Sequence, residues 1–193
     1  MKKLILFSLF AITTSVASSQ LNKGQWLIGG EANFTSSNFE SSNNESKTSI
    51  IRLSPKAGYF IIDKFAAGLR FGYDRTKVSN AFTYNTYSVA PFARYYFLPK
   101  EQKVNLFADA SYSLNSSKQE LGGSERMNSN GYLIQAGPAI FLNQSVALEF
   151  TLGYSRIKQN SNDYKTSAFQ TGIGFQIHFG RGKVKEIENN GNR

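Results

Sequence analysis

Between Gly24 and Phe179, apolar and polar residues alternate with a spacing of two along most of the chain. Such alternation predicts β-strands, because successive side chains of a strand point to opposite faces of a sheet. Eight segments follow it, over residues 25–35, 49–60, 65–76, 84–97, 104–114, 131–142, 146–157 and 167–179. The sequence therefore predicts an all-β fold.

The connections between these segments alternate in length. Long polar connections cover residues 38–47, 77–83, 115–130 and 158–166, and short ones lie at 61–64, 98–103 and 142–145. Strands joined in this order form an antiparallel meander with all the long connections at one end. Tight turns at one end and long loops at the other are typical of outer-membrane barrels. We therefore predict an eight-stranded antiparallel up-and-down transmembrane β-barrel.

The two faces of the predicted strands differ in charge. The apolar face that runs from Trp26 to Phe179 contains no charged residue up to its upper aromatic residues, such as Tyr73 and Tyr154. The opposite face carries four cations and four anions, namely Glu31, Arg52, Lys56, Arg70, Asp74, Arg94, Asp109 and Glu149. A Lys or Arg at the bilayer midplane costs about 2–4 kcal/mol, so we expect the charged face to line the lumen. Equal numbers of both signs predict an ion-pair network, in a lumen just wide enough for side chains to fill.

Aromatic residues on the apolar face form two groups. The group near the short connections comprises Trp26, Tyr59, Phe65, Tyr95, Phe97 and Phe179, and the group near the long connections comprises Phe34, Tyr73, Tyr87, Tyr112, Tyr132 and Tyr154. In most strands about eight residues separate the two groups. At ~3.3 Å per residue and a tilt near 40°, they bound a band on the order of 20 Å tall. This spacing predicts two aromatic girdles at the interfaces of a thin outer membrane.

Two arginines lie on the outward face just beyond the upper tyrosines. These are Arg75 and Arg156. Guanidinium groups at this height could form charge-assisted pairs with phosphate oxygens. We predict a contact with lipopolysaccharide at both residues, with ordinary solvation of the rim as the alternative.

The beginning of the chain has the features of a secretory signal peptide. Two lysines precede an apolar run from Leu4 to Ile12, and small residues follow at Ala17 and Ser19. A membrane-anchoring helix is the alternative, but the apolar run is about half the length that spans a bilayer. The expected division is a signal peptide at 1–19, a barrel at 20–180 and a polar periplasmic tail at 181–193.

Composition excludes several kinds of chemistry. The formal net charge is +9, but the basic residues are scattered singly rather than clustered, which argues against a nucleic-acid-binding protein. The chain has no cysteine and a single histidine, His178, so thiolate chemistry and a His-pair zinc site are excluded. We expect no metal, no cofactor and no catalytic activity, and we interpret His178 as a polar residue near the barrel mouth. A soluble lipocalin-type carrier is disfavoured because its ligand cavity would need an apolar lumen.

Three stretches carry a resemblance to a known family. They are "SPKAGYFIIDKFAAGLRFGYD" (54–74), "VAPFARYYF" (89–97) and the last predicted strand, "TGIGFQIHF" (171–179). Together they resemble the small eight-stranded outer-membrane barrels of the OmpA/OmpX type, in the porin-family outer membrane protein β-barrel group of Gram-negative bacteria. The resemblance implies that Phe179 ends a signal read by the barrel-assembly machinery. The chain departs from that pattern in the tail "GRGKVKEIENNGNR", which follows the closing phenylalanine.

The predicted function follows from the barrel and its polar loops. We expect a monomeric protein of the bacterial outer membrane, with extracellular long loops and periplasmic termini. Its expected role in the cell envelope is structural or a surface interaction (envelope integrity, adhesion or binding through the loops). The alternative is a narrow porin-like channel for small solutes.

Overall fold

The chain folds into eight strands that close on themselves. The structure is a computed structural model that describes residues 21–41, 44–79, 83–119, 126–161 and 164–180. The strands are β1 Trp26–Ser41, β2 Asn44–Ile62, β3 Phe65–Val78, β4 Thr83–Tyr96, β5 Val104–Gln119, β6 Arg126–Phe141, β7 Val146–Gln159 and β8 Lys165–Phe179. Each strand pairs antiparallel with the next, and β1 pairs with β8. The predicted eight-stranded antiparallel up-and-down barrel is confirmed.

The strands extend further toward the long connections than the alternation predicts. β1 continues to Ser41 and β2 begins at Asn44, while β5 reaches Gln119 and β6 begins at Arg126. The predicted extents of the long connections are therefore wrong, since most of 38–47 and of 115–130 is strand and the strands also reach into 77–83 and 158–166. The Ser- and Asn-rich segments carry no apolar alternation to mark them, yet their backbones continue the hydrogen-bonded ladder. The tips at 42–43, 80–82, 120–125 and 162–163 lie outside the described residues.

The seam that closes the barrel is shorter than the other ladders. β1 pairs with β2 along its whole length, from Trp26 to Ser41. Its pairing with β8 runs only from Trp26 to Ala32, opposite Phe179 to Ile173. The upper parts of β1 and β8 are therefore not joined by a ladder, which leaves the beginning of β8 more exposed than the other strands.

Three prolines interrupt the ladders at alternate strands. Pro55, Pro91 and Pro138 lie on β2, β4 and β6, and each coincides with a gap in the pairing to the following strand. In β4, for example, the pairing with β5 stops at Val89 and resumes at Phe92 with unchanged register. Proline has no N–H to donate to the neighbouring strand, which accounts for each gap.

The segment before β1 packs against the end of the barrel that carries the short connections. Leu21 is fully buried there, and its carbonyl oxygen accepts from the Lys64 amide at 2.8 Å. The Gly24 amide donates to the Phe60 carbonyl at 2.9 Å. Lys64 itself has a φ of 65°, a left-handed conformation in the tight turn between β2 and β3, where the ladder also carries a bulge at Phe60 and Ile62. This end of the barrel is thus covered by the chain's own backbone.

The expected signal peptide at 1–19 and the expected tail at 181–193 lie outside the described residues. Within the described ranges, no helix is long and apolar enough to cross a membrane.

Candidate functional site in the lumen and at the barrel wall

Six charged side chains among the described residues form an alternating chain of anions and cations inside the barrel. Lys56 joins its first two anions, with Nζ 3.1 Å from Glu31 Oε1 and 3.4 Å from Glu149 Oε2. Each member comes from a different strand. All six side chains point into the lumen, because they occupy inward positions of the alternation. In order, the chain consists of Glu31, Lys56, Glu149, Arg94, Asp109 and Arg70.

Arg94 is the central cation of this chain. Its guanidinium forms an ion pair with Glu149 and lies 3.1 Å from Asp109 Oδ2, while Arg70 lies 2.8 Å from the other Asp109 oxygen. The same guanidinium stacks 4.0 Å above the centroid of the Phe107 ring. Only 1% of Arg94 and none of Glu149 is exposed. Charges buried to this degree are tolerated only when they are paired, and here Arg94 donates from Nε to Asp109 and from Nη1 to Glu149, while its Nη2 makes only the ion-pair contact with Asp109.

Amide side chains complete the hydrogen bonding of two of the carboxylates. Gln135 Nε2 donates to Glu31 at 3.0 Å, and Gln176 Nε2 donates to Glu149 at 3.2 Å. The absence of a side chain at Gly174 leaves room for Glu31, since a Cβ there would lie 2.7 Å from Glu31 Cγ. The carboxylates are therefore held by partners on several sides.

An aromatic layer closes the lumen at the end that carries the short connections. His178 lies within it, with ring centroids 5.6 Å from Phe60, 6.1 Å from Tyr96 and 5.5 Å from Phe141. We call this layer the aromatic floor, and its buried apolar members are Leu21, Leu27, Phe60, Ala66, Tyr96, Phe107, Ala139, Phe141 and Ala147. Phe92 completes the same buried cluster and lies against Arg70, whose Cζ is 5.7 Å from the ring centroid. His178 is only 2% exposed, so it is a buried residue among rings rather than a polar residue at an open mouth.

The aromatic floor was not predicted, although the sequence contains a signal for it. Its large members occupy inward positions within a few residues of a short connection, on the face otherwise marked by charges. Apolar residues on the lumen side of a membrane barrel cannot be explained by lipid. They indicate a packed, dry layer inside the barrel.

Arg52 and Asp74 form a separate pair nearer the long connections. Arg52 Nε donates to Asp74 at 3.0 Å, and its Nη1 donates to Gln170 Oε1 at 3.0 Å. The side chains of Arg52 and Asp74 are 38% and 28% exposed, so this pair is partly hydrated. The eight charges expected in one network are thus divided into a buried chain of six and this pair. A polar cavity of about 120 Å³ lies between, lined by both groups and by several serines.

The aromatic residues predicted near the short connections lie on the outer wall. Trp26, Tyr59, Tyr95 and Phe179 are exposed there, and Phe65 is half-buried. Phe97, which follows the last residue of β4, is exposed as well. Neighbouring rings contact each other, with centroids 5.2 Å apart both for Trp26 with Tyr59 and for Tyr95 with Phe97.

The upper group also lies on the outer wall where its side chains are described. Tyr87, Tyr112 and Tyr132 are exposed, and Tyr73 and Tyr154 are half-buried. The rings of Tyr73 and Tyr87 are 5.3 Å apart, and those of Tyr132 and Tyr154 are 6.4 Å apart.

Two upper aromatic residues stand apart from these. Phe34 is part of β1, but its side chain lies outside the described part of the chain. Phe169 was not counted in the predicted girdle, yet it continues this row at 5.3 Å from Tyr154.

Arg75 and Arg156 lie on opposite sides of the barrel. Both are exposed on the outward face, Arg75 on β3 and Arg156 on β7. Four strand positions separate β3 from β7 in the closed order of eight. The two arginines therefore cannot contact the same lipid molecule, although they were predicted together.

Among the residues that the structure describes, no cluster of three or more His, Asp or Glu side chains could hold a metal ion. The lumen carboxylates instead contact Lys and Arg.

An apolar outer wall around a lumen of paired charges defines the class of an outer-membrane β-barrel protein. Residues 4–176 match the family described as "Outer membrane protein beta-barrel domain". The chain belongs to this family, as the resemblance predicted, and it is a transmembrane protein of the bacterial outer membrane.

Two solved structures are similar over most of their length. Neisserial surface protein A has a TM-score of 0.58 and 25% sequence identity, with 81% of this chain and 98% of that chain covered. The outer membrane protein OprG from Pseudomonas aeruginosa has a TM-score of 0.54 and 15% identity, with 84% and 99% covered. At 15% identity the similarity concerns the fold alone. No curated protein sequence matches the chain.

Proposed function

We propose that this protein is a non-enzymatic, monomeric barrel of the outer membrane with a structural or surface-interaction role. Its long connections would face the cell exterior and its termini the periplasm. The observation that carries the proposal is the occluded lumen. An interior filled by side chains leaves the exposed loops as the part of the molecule able to meet a partner.

Two successive layers support occlusion. The chain of six charges crosses the lumen, and Arg94 in its centre is 1% exposed. Below it lies the aromatic floor around His178, which is 2% exposed. Opening a path for water would require breaking buried ion pairs and also separating packed rings.

The alternative function is a narrow channel for small solutes. The observation in its favour is the polar cavity of about 120 Å³ lined by residues such as Arg52, Ser54 and Asp74. At about 30 Å³ per water molecule, such a cavity would hold a few waters. In an occluded barrel this cavity would be a hydrated vestibule that ends at the ion chain.

Conductance separates the two functions. Purified protein in a planar bilayer should give little or no steady current. Large, stable channels from the unmodified protein would overturn the structural proposal and favour the pore. Heat-dependent migration on a gel, measured on the same sample, would check that the protein was folded.

Protease digestion of intact cells tests the proposed orientation and the accessibility of the loops. Cleavage is expected within the long connections, for example near 42–43 or 120–125, without permeabilising the cells. Cleavage only after permeabilisation would contradict extracellular loops. The connections that are cut would be those free to bind a surface partner.

Biogenesis follows from the same proposal. Residues 1–19 would be removed as a signal peptide, residues 20–180 would form the barrel and residues 181–193 would remain as a periplasmic tail. The barrel-assembly machinery would recognise β8, which ends on the exposed Phe179. Phe179→Ser should reduce the amount of assembled protein, whereas deletion of 181–193 should leave assembly unchanged. Normal assembly of Phe179→Ser would contradict this role.

Outer-membrane lipid is the remaining proposed partner. Arg75 and Arg156 are exposed on the outer wall, in keeping with a contact to lipopolysaccharide at each. Because they lie on opposite sides of the barrel, each would contact a different lipid molecule.

A further inference from the structure

We propose that the polar cavity above the charged chain binds a small zwitterion, with Arg52 meeting its carboxylate and Glu31 meeting its ammonium group. A free α-amino acid such as glycine has this chemistry. Such a ligand goes beyond the proposed function, because an occluded lumen does not by itself imply one. Binding would not depend on which side of the membrane the cavity faces.

The lining of this cavity is polar and electrically balanced. Two cations and two anions line its volume of about 120 Å³, namely Arg52, Arg70, Glu31 and Asp74. An anion alone would lie against two carboxylates, and a cation alone would lie against two guanidinium groups. A molecule that carries both charges avoids this repulsion. Hydroxyl groups surround the charges, since the lining also includes Ser54, Ser88, Ser111, Ser113 and Ser155.

Glu31, where the cavity meets the charged chain, has one carboxylate oxygen that accepts no hydrogen bond from the described residues. Lys56 and Gln135 both donate to Oε1, at 3.1 and 3.0 Å. Oε2 lies beside Gly172, where an added Cβ would be 3.2 Å from it. The Glu31 side chain is only 9% exposed, so little bulk water reaches this oxygen. Because a buried charged acceptor is costly without a donor, an ammonium group in the cavity would stabilise it.

Arg52 is the cation with a donor to spare on the upper side of the cavity. Its Nε donates to Asp74 and its Nη1 donates to Gln170, and its Nη2 donates to none of the described residues. The other cation of the lining, Arg70, is held by the buried Asp109. A guanidinium N–H pairs well with a carboxylate, so Arg52 is the group that would receive the acidic end of the ligand.

The two groups face the cavity at different heights. Asn33 is two residues above Glu31 on β1, and it is the strand partner of Arg52 on β2. At ~3.3 Å per residue and a tilt near 40°, this offset is about 5 Å. Arg52 forms its ion pair with Asp74, and Glu31 forms its own with Lys56. A ligand between them would therefore bridge a donor above and an acceptor below.

A glycine keeps the space between the two groups open. Gly172 lies on β8 between Gln170, which holds Arg52, and Gly174, which packs on Glu31. A side chain at position 172 would enter this space, beside the unused carboxylate oxygen. Water and solutes can enter from above, because the Arg52 side chain at the upper side is half-exposed.

Cavity size and hydrogen bonding limit the ligand. At about 30 Å³ per water molecule, the cavity has the volume of about four waters, which suits glycine or alanine better than larger amino acids. Glycine betaine carries the same two charges, but its quaternary ammonium has no N–H to donate to Glu31. It should therefore bind much more weakly than glycine.

The test measures binding of glycine to purified, refolded protein in detergent micelles by ligand-observed NMR titration. We expect saturable binding with a dissociation constant on the order of 1 mM, since the ligand has few atoms. Acetate and methylammonium each carry one of the two charges. These two ions and glycine betaine should each bind at least about tenfold more weakly than glycine.

Variants locate the binding within the barrel. Arg52→Gln and Glu31→Gln each remove one charged partner and should weaken glycine binding at least about tenfold. Gly172→Ala with Thr151→Ala fills the space without changing a charge and should weaken binding as well. Thr151→Ala relieves the contact that a Cβ at 172 would make with the Thr151 hydroxyl, and alone it should change binding less than twofold. Lys100→Gln removes a cation from a partly exposed ion pair at the other end of the barrel and serves as the control for net charge, with a change of less than twofold.

Several outcomes would overturn the site. No saturable binding, in protein with heat-dependent gel migration, would mean that the cavity holds only water. Acetate bound as tightly as glycine would indicate an anion site, and methylammonium bound as tightly would indicate a cation site. Equal weakening by Arg52→Gln and Lys100→Gln would mean that net charge determines binding.

Two variants decide the question even if Glu31→Gln folds poorly. Arg52→Gln changes a half-exposed pair, and Gly172→Ala with Thr151→Ala leaves every charge in place. Unchanged glycine binding in both would overturn the site. Because no current is measured, a failure here would leave the occluded barrel of the proposed function untouched.

Discussion

Arg94 on β4 and Glu149 on β7 form an ion pair across the lumen, between strands that are not neighbours in the barrel. The pair links the two halves of the charged chain, because Glu149 also meets Lys56 and Arg94 also meets Asp109. It therefore braces the barrel from inside, in addition to the backbone ladders around its wall.

Removing one member of this pair should be costly. Arg94→Met leaves two buried carboxylates without their shared cation, and we expect a loss of about 3–5 kcal/mol in the free energy of unfolding. Urea unfolding in lipid vesicles would measure it. The double variant with Glu149→Gln should cost less than the sum of the two single variants, since it removes both charges. As a control, Arg52→Gln acts on the half-exposed pair with Asp74 and should cost at most about 1 kcal/mol.

The register of the wall can be tested with two adjacent residues. Phe150 is 41% exposed on the outer wall, whereas Glu149 beside it is fully buried in the lumen. Phe150→Arg should impair membrane insertion, at a cost of about 2–4 kcal/mol near the bilayer midplane, whereas Glu149→Gln should still insert. The fraction of protein with heat-dependent gel migration, after refolding into vesicles, reports insertion. Normal insertion of Phe150→Arg would mean that the faces are assigned the wrong way round.

The gap in the ladder at Pro91 predicts a local effect of restoring an amide. Pro91 pairs with Leu69 on β3, but its pairing with β5 is interrupted. Pro91→Ala would direct a new N–H toward β5, and in lipid an unpaired backbone group is costly. We expect slow hydrogen exchange at this new backbone amide and a small gain in stability, on the order of 1 kcal/mol. Fast exchange at that amide would show that the gap has a cause other than the missing N–H.

Gly174 predicts a steric effect on the lumen. A Cβ at this position would lie 2.6 Å from the Gly30 carbonyl oxygen as well as 2.7 Å from Glu31 Cγ. Gly174→Ala should therefore destabilise the barrel by about 1–3 kcal/mol, as overpacking generally does. Ala168→Gly, on an exposed part of the same strand, is a control and should cost less. Equal stability of Gly174→Ala and the unmodified protein in urea would mean that β8 can move away from Glu31.

Much of the fold could be predicted because lipid imposes one rule on every strand. The apolar outward face from Trp26 to Phe179 and the eight charges on the opposite face suffice to assign eight strands and their two sides. The strand ends could not be predicted, because polar stretches such as the end of β1 at Ser41 contain no regular apolar alternation. Backbone pairing above the membrane follows from ladder geometry, which composition does not record.

The sequence predicts which charged residues point into the lumen, but not which of them form pairs. Alternation assigns Arg52 and Arg94 equally to the interior, yet Arg94 is buried and Arg52 is part of a half-exposed pair. Which carboxylate each cation meets depends on the stagger between strands, and this stagger is not encoded in the period of two. The floor around His178 was missed for a related reason, since inward rings are recognised only when their height in the barrel is known.

The aromatic floor is a second barrier below the charged chain, so removing one charged side chain should not open the lumen by itself. Arg94 Nη1 donates to the Tyr96 hydroxyl at 3.2 Å, so the central cation rests directly on the floor. Arg94→Ala removes a long side chain from the charged layer but leaves the rings of Phe60 and Tyr96 packed below it. In a planar bilayer we therefore expect only brief openings from Arg94→Ala. The double variant with Tyr96→Ala opens both layers, and we expect it to give longer openings or a higher conductance.

The control for this conductance experiment is Arg52→Ala, which shortens a half-exposed side chain above both layers. Its conductance should be as low as that of the unmodified protein. Steady channels from Arg94→Ala alone would mean that the aromatic floor does not block water. If the double variant gives no current and still migrates as folded protein, the rest of the charged chain occludes the lumen without its central cation.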